Sequence, residues 1–243
     1  MGLIYGKNPV TEAIVSGKTI NKIYVSKNSK DLSDILKLAN EKRIVVVKSE
    51  KQKLDKMVEN KNSQGIVASV TDFVYSSVEE ILEYAKSKNE DAFVVILDKI
   101  EDPHNLGAII RTAECMGVHG IIIQKRNAVQ VTDTVEKVAA GATSFVKVAR
   151  VTNISETIKL LKENGLWIYG LDMDGASNIY DTKLEGKIGL VVGNEGAGIT
   201  RLVKENCDFM LKIPMYGKIN SLNASVSTAI SIYEVVRQKN KGT

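Results

Sequence analysis

The apolar positions change their period along the chain. Leu32, Ile35, Leu36, Leu38 and Ala39 recur at helical spacing, which predicts a helix over Asp31–Lys42. Ile44-Val45-Val46-Val47 is an unbroken apolar run, which predicts a buried strand over Arg43–Lys48. Lys22–Val25 and Gly65–Val70 read as strands, and Lys51–Glu59 as a short helix. Near the start, Asn8 is a capping residue type, and Pro9 suits the first helical position because its missing N–H costs nothing there. Together these elements make an α/β unit of about 70 residues, small but viable as a domain. Thr71–Ser77 shows no helical stripe and reads as a linker. A helix over Val78–Lys88 follows, with Ser77 as its cap and Glu80 as a capping-box partner.

Beyond this point strands and helices alternate regularly. Strands are predicted at Ala92–Leu97, Gly120–Gln124, Val146–Arg150, Trp167–Leu171, Ile188–Val192 and Met210–Ile213. Helices are predicted at Asn105–Met116, Thr132–Ala140, Ile154–Asn164, Ile199–Glu205 and Ala224–Gln238. Phe93-Val94-Val95-Ile96-Leu97 has no polar face, which implies a parallel sheet covered on both sides. The expected class is α/β, with a small domain at 1–72, a linker and leading helix at 73–90, and a larger domain at 91–243.

Composition narrows the reading without deciding it. The chain has 243 residues, 44% hydrophobic and 26% charged, enough apolar material for one or two ordinary cores. It contains no apolar stretch of bilayer length, and Met1–Asn8 lacks the charged-then-apolar layout of a signal peptide, so a cytoplasmic protein is expected. A net charge of +4 permits nucleic-acid binding and does not require it. Cys115, Cys207, His104 and His119 have no metal-ligand spacing, and no metal site is expected. Cys115 falls in a predicted helix, where a free cysteine is usually a small buried hydrophobe.

Three segments carry candidate chemistry. Asp102-Pro103-His104-Asn105-Leu106-Gly107 leads from a strand into a helix, with Asn105 at the helix start and Arg111 nearly two turns along. Read alone, the segment is explained first by Asn105 as an N-cap and Arg111 as a solvated side chain. Gly193-Asn194-Glu195-Gly196-Ala197-Gly198 is a glycine-rich turn between an apolar strand and a short helix. Its spacing departs from the dinucleotide fingerprint and there is no Walker A sequence, which disfavours a nucleotide-dependent oxidoreductase or a triphosphate user. Glu195 makes a poor phosphate cradle, so a neutral or cationic ligand suits the turn better; a plain tight turn with an exposed Glu is the competing reading. Ile213-Pro214-Met215 leads through a polar loop with Asn220, Ser221, Leu222 and Asn223 into the last helix, and capping would account for part of that polarity.

In this order, Asn105-x-Gly107-x-x-x-Arg111-x-Ala113, Gly193-Asn194-Glu195-Gly196, and Ile213-Pro214-Met215 continuing to Ser221-Leu222-Asn223-Ala224-Ser225 resemble the motifs of the SpoU (TrmH) family of RNA ribose 2′-O-methyltransferases, within the SPOUT superfamily. Tyr5-Gly6, Gln64-Gly65-Ile66-Val67-Ala68 and Tyr233–Gln238 resemble the RlmB-type members, which modify a guanosine of 23S ribosomal RNA. One departure is Ser63, where the family often has His before the Gln-Gly pair.

The resemblance implies a C-terminal α/β domain with a deep trefoil knot and an N-terminal ribosomal-protein-like RNA-binding domain. It implies a homodimer acting on RNA away from membranes. S-adenosylmethionine would be held, mainly by backbone, at Gly193, Gly196, Ile213, Met215 and Leu222, with Leu171 at the preceding strand end. Arg111 would fix a phosphate or stabilise the forming alkoxide, because a guanidinium stays protonated and makes a poor base. Asn105 and Glu195 would orient Arg111 or the ribose, and Ser221 and Asn223 would hydrogen-bond the substrate or the motif loops. Transfer RNA as substrate, and a non-catalytic RNA-binding protein, are the alternatives. The full set Asn105, Arg111, Glu195 and Asn223 counts against the latter, since a binder needs none of them together.

Overall fold

The computed structural model describes residues 2–27, 32–71, 73–219 and 221–240. The chain divides into two compact units, Met1–Val74 and Tyr75–Thr243.

The first unit runs β1 (Gly2–Tyr5), α1 (Lys7–Val15), β2 (Ile20–Ser26), α2 (Ser33–Glu41), β3 (Val46–Ser49), α3 (Lys51–Met57) and β4 (Ile66–Val70). Its sheet has the order β1-β4-β2-β3, with β4 antiparallel to both neighbours and β3 parallel to β2. Val10 and Ile14 of α1, Ile35 and Ala39 of α2, and Ile23, Ile66 and Ala68 of the sheet form its core. Strand β1 was not anticipated, because its four residues are too short for a readable period. Helix α1 starts earlier than expected: Gly6 is its cap, so Asn8 is not the N-cap and Pro9 is the third helical residue. Pro9 still falls in the first turn, where N–H groups lack intrahelical acceptors, and Gln64 Oε1 accepts the Lys7 N–H there (3.0 Å). The expected buried strand Arg43–Lys48 is corrected too. Strand β3 is an edge strand, and Val46 and Val47 are only half-buried because among the described residues no strand pairs on its far side. Asp31, the expected first residue of the second helix, lies outside the described residues.

Ser63 is fully buried, and its N–H and Oγ–H both donate to Asp55 Oδ1 (3.0 and 2.5 Å). Those bonds hold the Asp55 carboxyl below its usual range. Ser63 thus locks the turn into β4 and presents no surface to a ligand.

The second unit runs α4 (Val78–Ser87), β5 (Phe93–Asp98), α5 (Pro103–Cys115), β6 (Gly120–Gln124), α6 (Asp133–Ala139), β7 (Lys147–Val151), α7 (Ile154–Glu163), β8 (Trp167–Leu171), β9 (Ser177–Asn178), β10 (Ile188–Gly193), α8 (Arg201–Asn206), β11 (Phe209–Lys212) and α9 (Ala224–Lys239). Its sheet has the order β7-β6-β5-β10-β8-β11-β9, and every neighbouring pair is parallel. The capping box of α4 forms: Ser77 Oγ accepts the Glu80 N–H and Glu80 Oε2 accepts the Ser77 N–H (3.1 and 2.7 Å). Val78, Ile81 and Ala85 of α4 are buried with Val94, Ile96, Ile158 and Leu161, so this leading helix is part of the second unit's core. The end of the expected linker belongs there as well, since Ser76 N–H donates to Val148 O (2.9 Å) and Tyr75 Oη accepts from Val131 N–H (2.9 Å). Val95 and Leu97, on the opposite face of β5 from Ile96, are buried too, so both faces of the sheet are covered. Helices α6 and α9 both pack on α5, with α9 also against β10.

Cys115 is exposed, contrary to expectation. The buried stripe of α5 is Leu106, Ile109, Ile110 and Ala113, and Cys115 falls off it.

His119, just before β6, is buried, accepts the Phe93 N–H through Nδ1 (3.0 Å) and meets Glu90 Oε2 through Nε2 (3.0 Å). Burial holds its pKa below the usual 6.5, opposed by Glu90. Between those two values the unfolded chain binds a proton that the folded imidazole resists. Stability is therefore full above pH 6.5 and falls as pH drops through the folded value. Chemical denaturation should give a lower unfolding free energy at about pH 5.5 than at about pH 7.5. His119→Gln should flatten that difference; an equal slope in both proteins would contradict it.

Candidate active site

Strand order brings the carboxyl ends of β5, β10, β8 and β11 side by side. The chain winds outward from β5 through β6 to β7, then returns on the other side with β8, and β10 enters between β5 and β8. Ligands of open parallel sheets bind at the carboxyl ends of the strands where winding reverses. Leu171 ends β8, Gly193 ends β10, and Ile213 follows β11. All three are half-buried, as is Leu222 ahead of α9, whereas Gly196 and Met215 are exposed.

The turn after β10 is closed by its own backbone: Asn194 N–H donates to Gly198 O (3.2 Å) and Gly198 N–H to Asn194 O (2.8 Å). Inside it, Asn194 Oδ1 accepts the Gly196 N–H (2.9 Å) and Asn194 Nδ2 donates to Lys99 O (3.1 Å). The turn leaves Glu195 exposed at its tip.

Helix α5 is capped by Asp102, whose Oδ1 accepts the His104 N–H (2.8 Å), with Pro103 in its first turn. Asn105 is therefore not the N-cap, and its side chain is released for a tertiary role. It is 7% exposed, and its Nδ2 donates to Glu195 Oε1 (2.9 Å). Asn223 caps α9, accepting the N–H groups of Ser225 and Val226 at Oδ1 (3.0 and 3.4 Å). Its Nδ2 donates both to Asn105 Oδ1 (3.0 Å) and to Glu195 Oε1. Glu195 Oε1 also accepts the Ala224 N–H (3.2 Å). Asn105, Glu195 and Asn223 thus form a closed polar triangle joining the start of α5, the glycine turn and the start of α9. Capping and network roles coexist at Asn223.

Glu195→Ala would strip the acceptor from two side-chain amides and one backbone N–H, and Asn105 would be left buried and under-satisfied. A loss of about 1–3 kcal/mol in unfolding free energy is expected, with Glu195→Gln retaining part of it through its remaining oxygen. Equal denaturation midpoints for wild type and Glu195→Ala would count against the triangle.

Arg111 lies on α5 beyond this triangle and is exposed. Among the described residues it makes no hydrogen bond or ion pair with Asn105, Glu195 or Asn223, so those residues do not orient it in this structure. Ser221 is exposed and, among the described residues, makes no hydrogen bond to the motif loops; Asn220 lies outside the described residues. The motifs did not single out Asp98, a fully buried carboxylate whose Oδ2 accepts the Thr200 N–H (2.7 Å) and ties β5 to the start of α8. They also missed Asp172, which follows β8 and is ion-paired with Lys204 of α8. An acid closing an otherwise apolar strand, as in Phe93–Asp98, was the readable signal for the first. Among the described residues no cluster of three or more His, Cys, Asp or Glu is placed to hold a metal, and no helix is long and apolar enough to cross a membrane.

Residues 92–233 match the family model described as SpoU rRNA Methylase family. The chain belongs to the SpoU methylase family. Residues 3–76 match a second model, RNA 2′-O ribose methyltransferase substrate binding. Among relatives of the SpoU chain is a Staphylococcus haemolyticus protein assigned to the TrmH family of tRNA/rRNA methyltransferases, 44% identical over 98% of this chain and 96% of the relative. The SpoU methyltransferase AviRb from Streptomyces viridochromogenes, crystallised in complex with AdoMet, superposes with a TM-score of 0.63 at 25% identity, covering 99% of this chain and 91% of AviRb. A TrmH/SpoU tRNA modifying enzyme of A. aeolicus superposes with a TM-score of 0.58 at 28% identity, over 68% of this chain and 84% of that one. The SpoU chain is therefore an RNA methyltransferase with an α/β catalytic unit and an N-terminal substrate-binding unit.

Proposed function

We propose that the protein methylates a ribose 2′-hydroxyl of RNA, at a guanosine of 23S ribosomal RNA. The observation that carries this reading is the Asn105–Glu195–Asn223 triangle at the carboxyl ends of the sheet, whose Asn105 shares helix α5 with Arg111, a side chain with no ion pair among the described residues.

The methyl donor is S-adenosylmethionine, the ligand of AviRb. The residues present suit it. Leu171, Ile213 and Leu222 offer apolar, half-buried walls, and Gly196 leaves the turn's backbone open. Glu195 disfavours a phosphate and favours a cation. Met215 and Gly193 complete the candidate cradle. When bound, the donor supplies an electrophilic methyl on a sulfonium, whose leaving group is neutral.

The chain's own residues must handle the nucleophile, a very weak acid. Positioning the oxygen accounts for part of the rate, and stabilising its developing charge for much of the rest. Arg111 stabilises the forming alkoxide or grips a phosphate while the proton leaves late. Asn105, Glu195 and Asn223 fix the glycine turn and the two helix starts against which the ribose is held, and the exposed Ser221 bonds the substrate. Residues 1–72 bind RNA and 91–243 perform the transfer, in the cytoplasm.

A homodimer with a deep C-terminal trefoil knot belongs to this reading. An apolar groove of about 430 Å³, lined by Tyr180, Ile213, Ile230 and Tyr233 among others, supports the dimer. The entry of β10 between β5 and β8 supports the knot. The likeness to the A. aeolicus tRNA modifying enzyme favours transfer RNA as the second reading.

The test is transfer of labelled methyl from S-adenosylmethionine to protein-free 23S ribosomal RNA and to bulk transfer RNA, followed by mapping of the 2′-O-methyl group. Label at one guanosine of the ribosomal RNA is the expected result. Label only in transfer RNA would keep the chemistry and replace the substrate. No label in either, with the donor bound, would point to an assembling ribosome as substrate, and no binding of the donor would overturn the reading.

A further inference from the structure

We propose that Lys99 is a phosphate-binding residue that grips the RNA phosphodiester beside the target ribose; this rests on the reading of the site as an RNA ribose methylase. Lys99 follows the last residue of β5, at the carboxyl end of the sheet where the candidate site lies. Its backbone is left-handed, with φ +60°, a conformation that suits glycine and strains a lysine. Both of its main-chain groups are engaged. Its N–H donates to Gln124 Oε1 at the end of β6 (3.0 Å), and its carbonyl accepts from Asn194 Nδ2, the neighbour of Glu195 (3.1 Å). This bend ties β5 to both adjacent strands, and a glycine would make the same two bonds with less strain. What a glycine lacks is the amine.

That amine is uncommitted. Lys99 is exposed, and among the described residues it has no ion pair or side-chain hydrogen bond. Of the two carboxylates that follow in the loop, Asp102 is engaged as the cap of α5, and Glu101 is exposed and makes no ion pair with Lys99 among the described residues. A second exposed cation, Arg126, stands two residues beyond Gln124. The loop carrying it is bound to the same bend, since Val129 N–H donates to Ile100 O (2.8 Å). The carboxyl ends of β5 and β6 therefore each place an exposed cation, Lys99 and Arg126, at the loops beside the triangle.

The substrate chemistry supplies the matching anion. A ribose 2′-hydroxyl within an RNA chain sits next to a phosphodiester on the 3′ oxygen, so a site that positions the hydroxyl positions that phosphate too. Lysine serves phosphate as a point charge, and strained backbone at a site is retained where the side chain is used. With the phosphate assigned to Lys99, the guanidinium of Arg111 is left for the reacting oxygen.

The test compares full-length wild type, Lys99→Gly and Lys99→Arg. Thermal stability, S-adenosylmethionine affinity by calorimetry, and binding of protein-free 23S ribosomal RNA and bulk transfer RNA across a salt series are measured. Lys99→Gly is expected to melt at or above the wild-type temperature and to bind S-adenosylmethionine unchanged. It should bind RNA about tenfold more weakly, the scale of one charged hydrogen bond. The slope of log affinity against log salt should shrink by about 0.7, the share of one single-strand phosphate contact. Lys99→Arg should restore most of both. Wild-type RNA affinity and salt slope in Lys99→Gly would overturn the proposal. So would a joint loss of stability and S-adenosylmethionine binding, which would mark Lys99 as structural, or a wild type that binds neither RNA. A wild type that binds RNA but not S-adenosylmethionine would defeat the functional reading, leaving the Lys99 contact to be judged on the RNA-binding data alone.

Discussion

Arg111→Lys should lower kcat for methyl transfer by about 10²- to 10³-fold, with S-adenosylmethionine binding and thermal stability unchanged. The side chain is exposed and makes no bond to the Asn105–Glu195–Asn223 triangle, so neither the fold nor that network depends on it. A charge-conserving replacement isolates geometry. Guanidinium presents a planar fork of donors, whereas an ammonium is a compact point charge. If Arg111 stabilises the developing alkoxide with directed donors, lysine will not substitute. Single-turnover rates with saturating RNA would read the chemical step directly. Near wild-type turnover in Arg111→Lys would remove the directed-donor role, and a rise in RNA KM alone would move Arg111 to phosphate binding.

The largest structural effect is expected at Gly193. A Cβ built there would lie 2.1 Å from the Gly198 carbonyl carbon and 2.3 Å from its oxygen. Both atoms are backbone and cannot rotate aside. Gly193→Ala must therefore open the turn that Asn194 and Gly198 close, and Glu195 would move with it. Destabilisation of about 3 kcal/mol is expected, the upper part of the range for overpacking, with S-adenosylmethionine binding lost. Gly196→Ala is the contrast. Its Cβ would meet only Asn194 Oδ1 at 3.6 Å, ordinary contact, so the fold should tolerate it while donor affinity falls. A Gly193→Ala protein that melts normally and binds the donor would disprove the account of the turn.

Much of this architecture could be read before the structure was known, for physical reasons that differ by region. The catalytic strands are long apolar runs between punctuated helices, so β5, β6, β8 and β10 fell close to their expected bounds. Strand β9 has two residues and β1 four, too few to show a period, and each exists only because a partner strand pairs with it. At Asn105 the residue type was informative and its role was not. Caps and tertiary networks draw on the same side chains, and only the engagement of Asp102 as the cap decides between them. Cys115 was misjudged because burial on a helix depends on angle as well as on apolar character. The triangle itself joins residues 118 apart in the chain, a proximity that no local pattern encodes.

The central pairing of β5 with β10 bears on how the molecule is made. Phe93 meets Ile188, and Lys99 meets Asn194, across a separation of 95 residues. On a ribosome, β5 emerges long before its inner neighbour exists. It can associate early with β6, which follows it closely in the chain, but its other edge stays unpaired until β10 arrives. Closing so long a loop spends entropy before any contact repays it, which places this protein among slow folders. Until then the chain carries an open strand edge that is apolar from Phe93 to Leu97, the kind of surface on which nascent chains aggregate or chaperones settle.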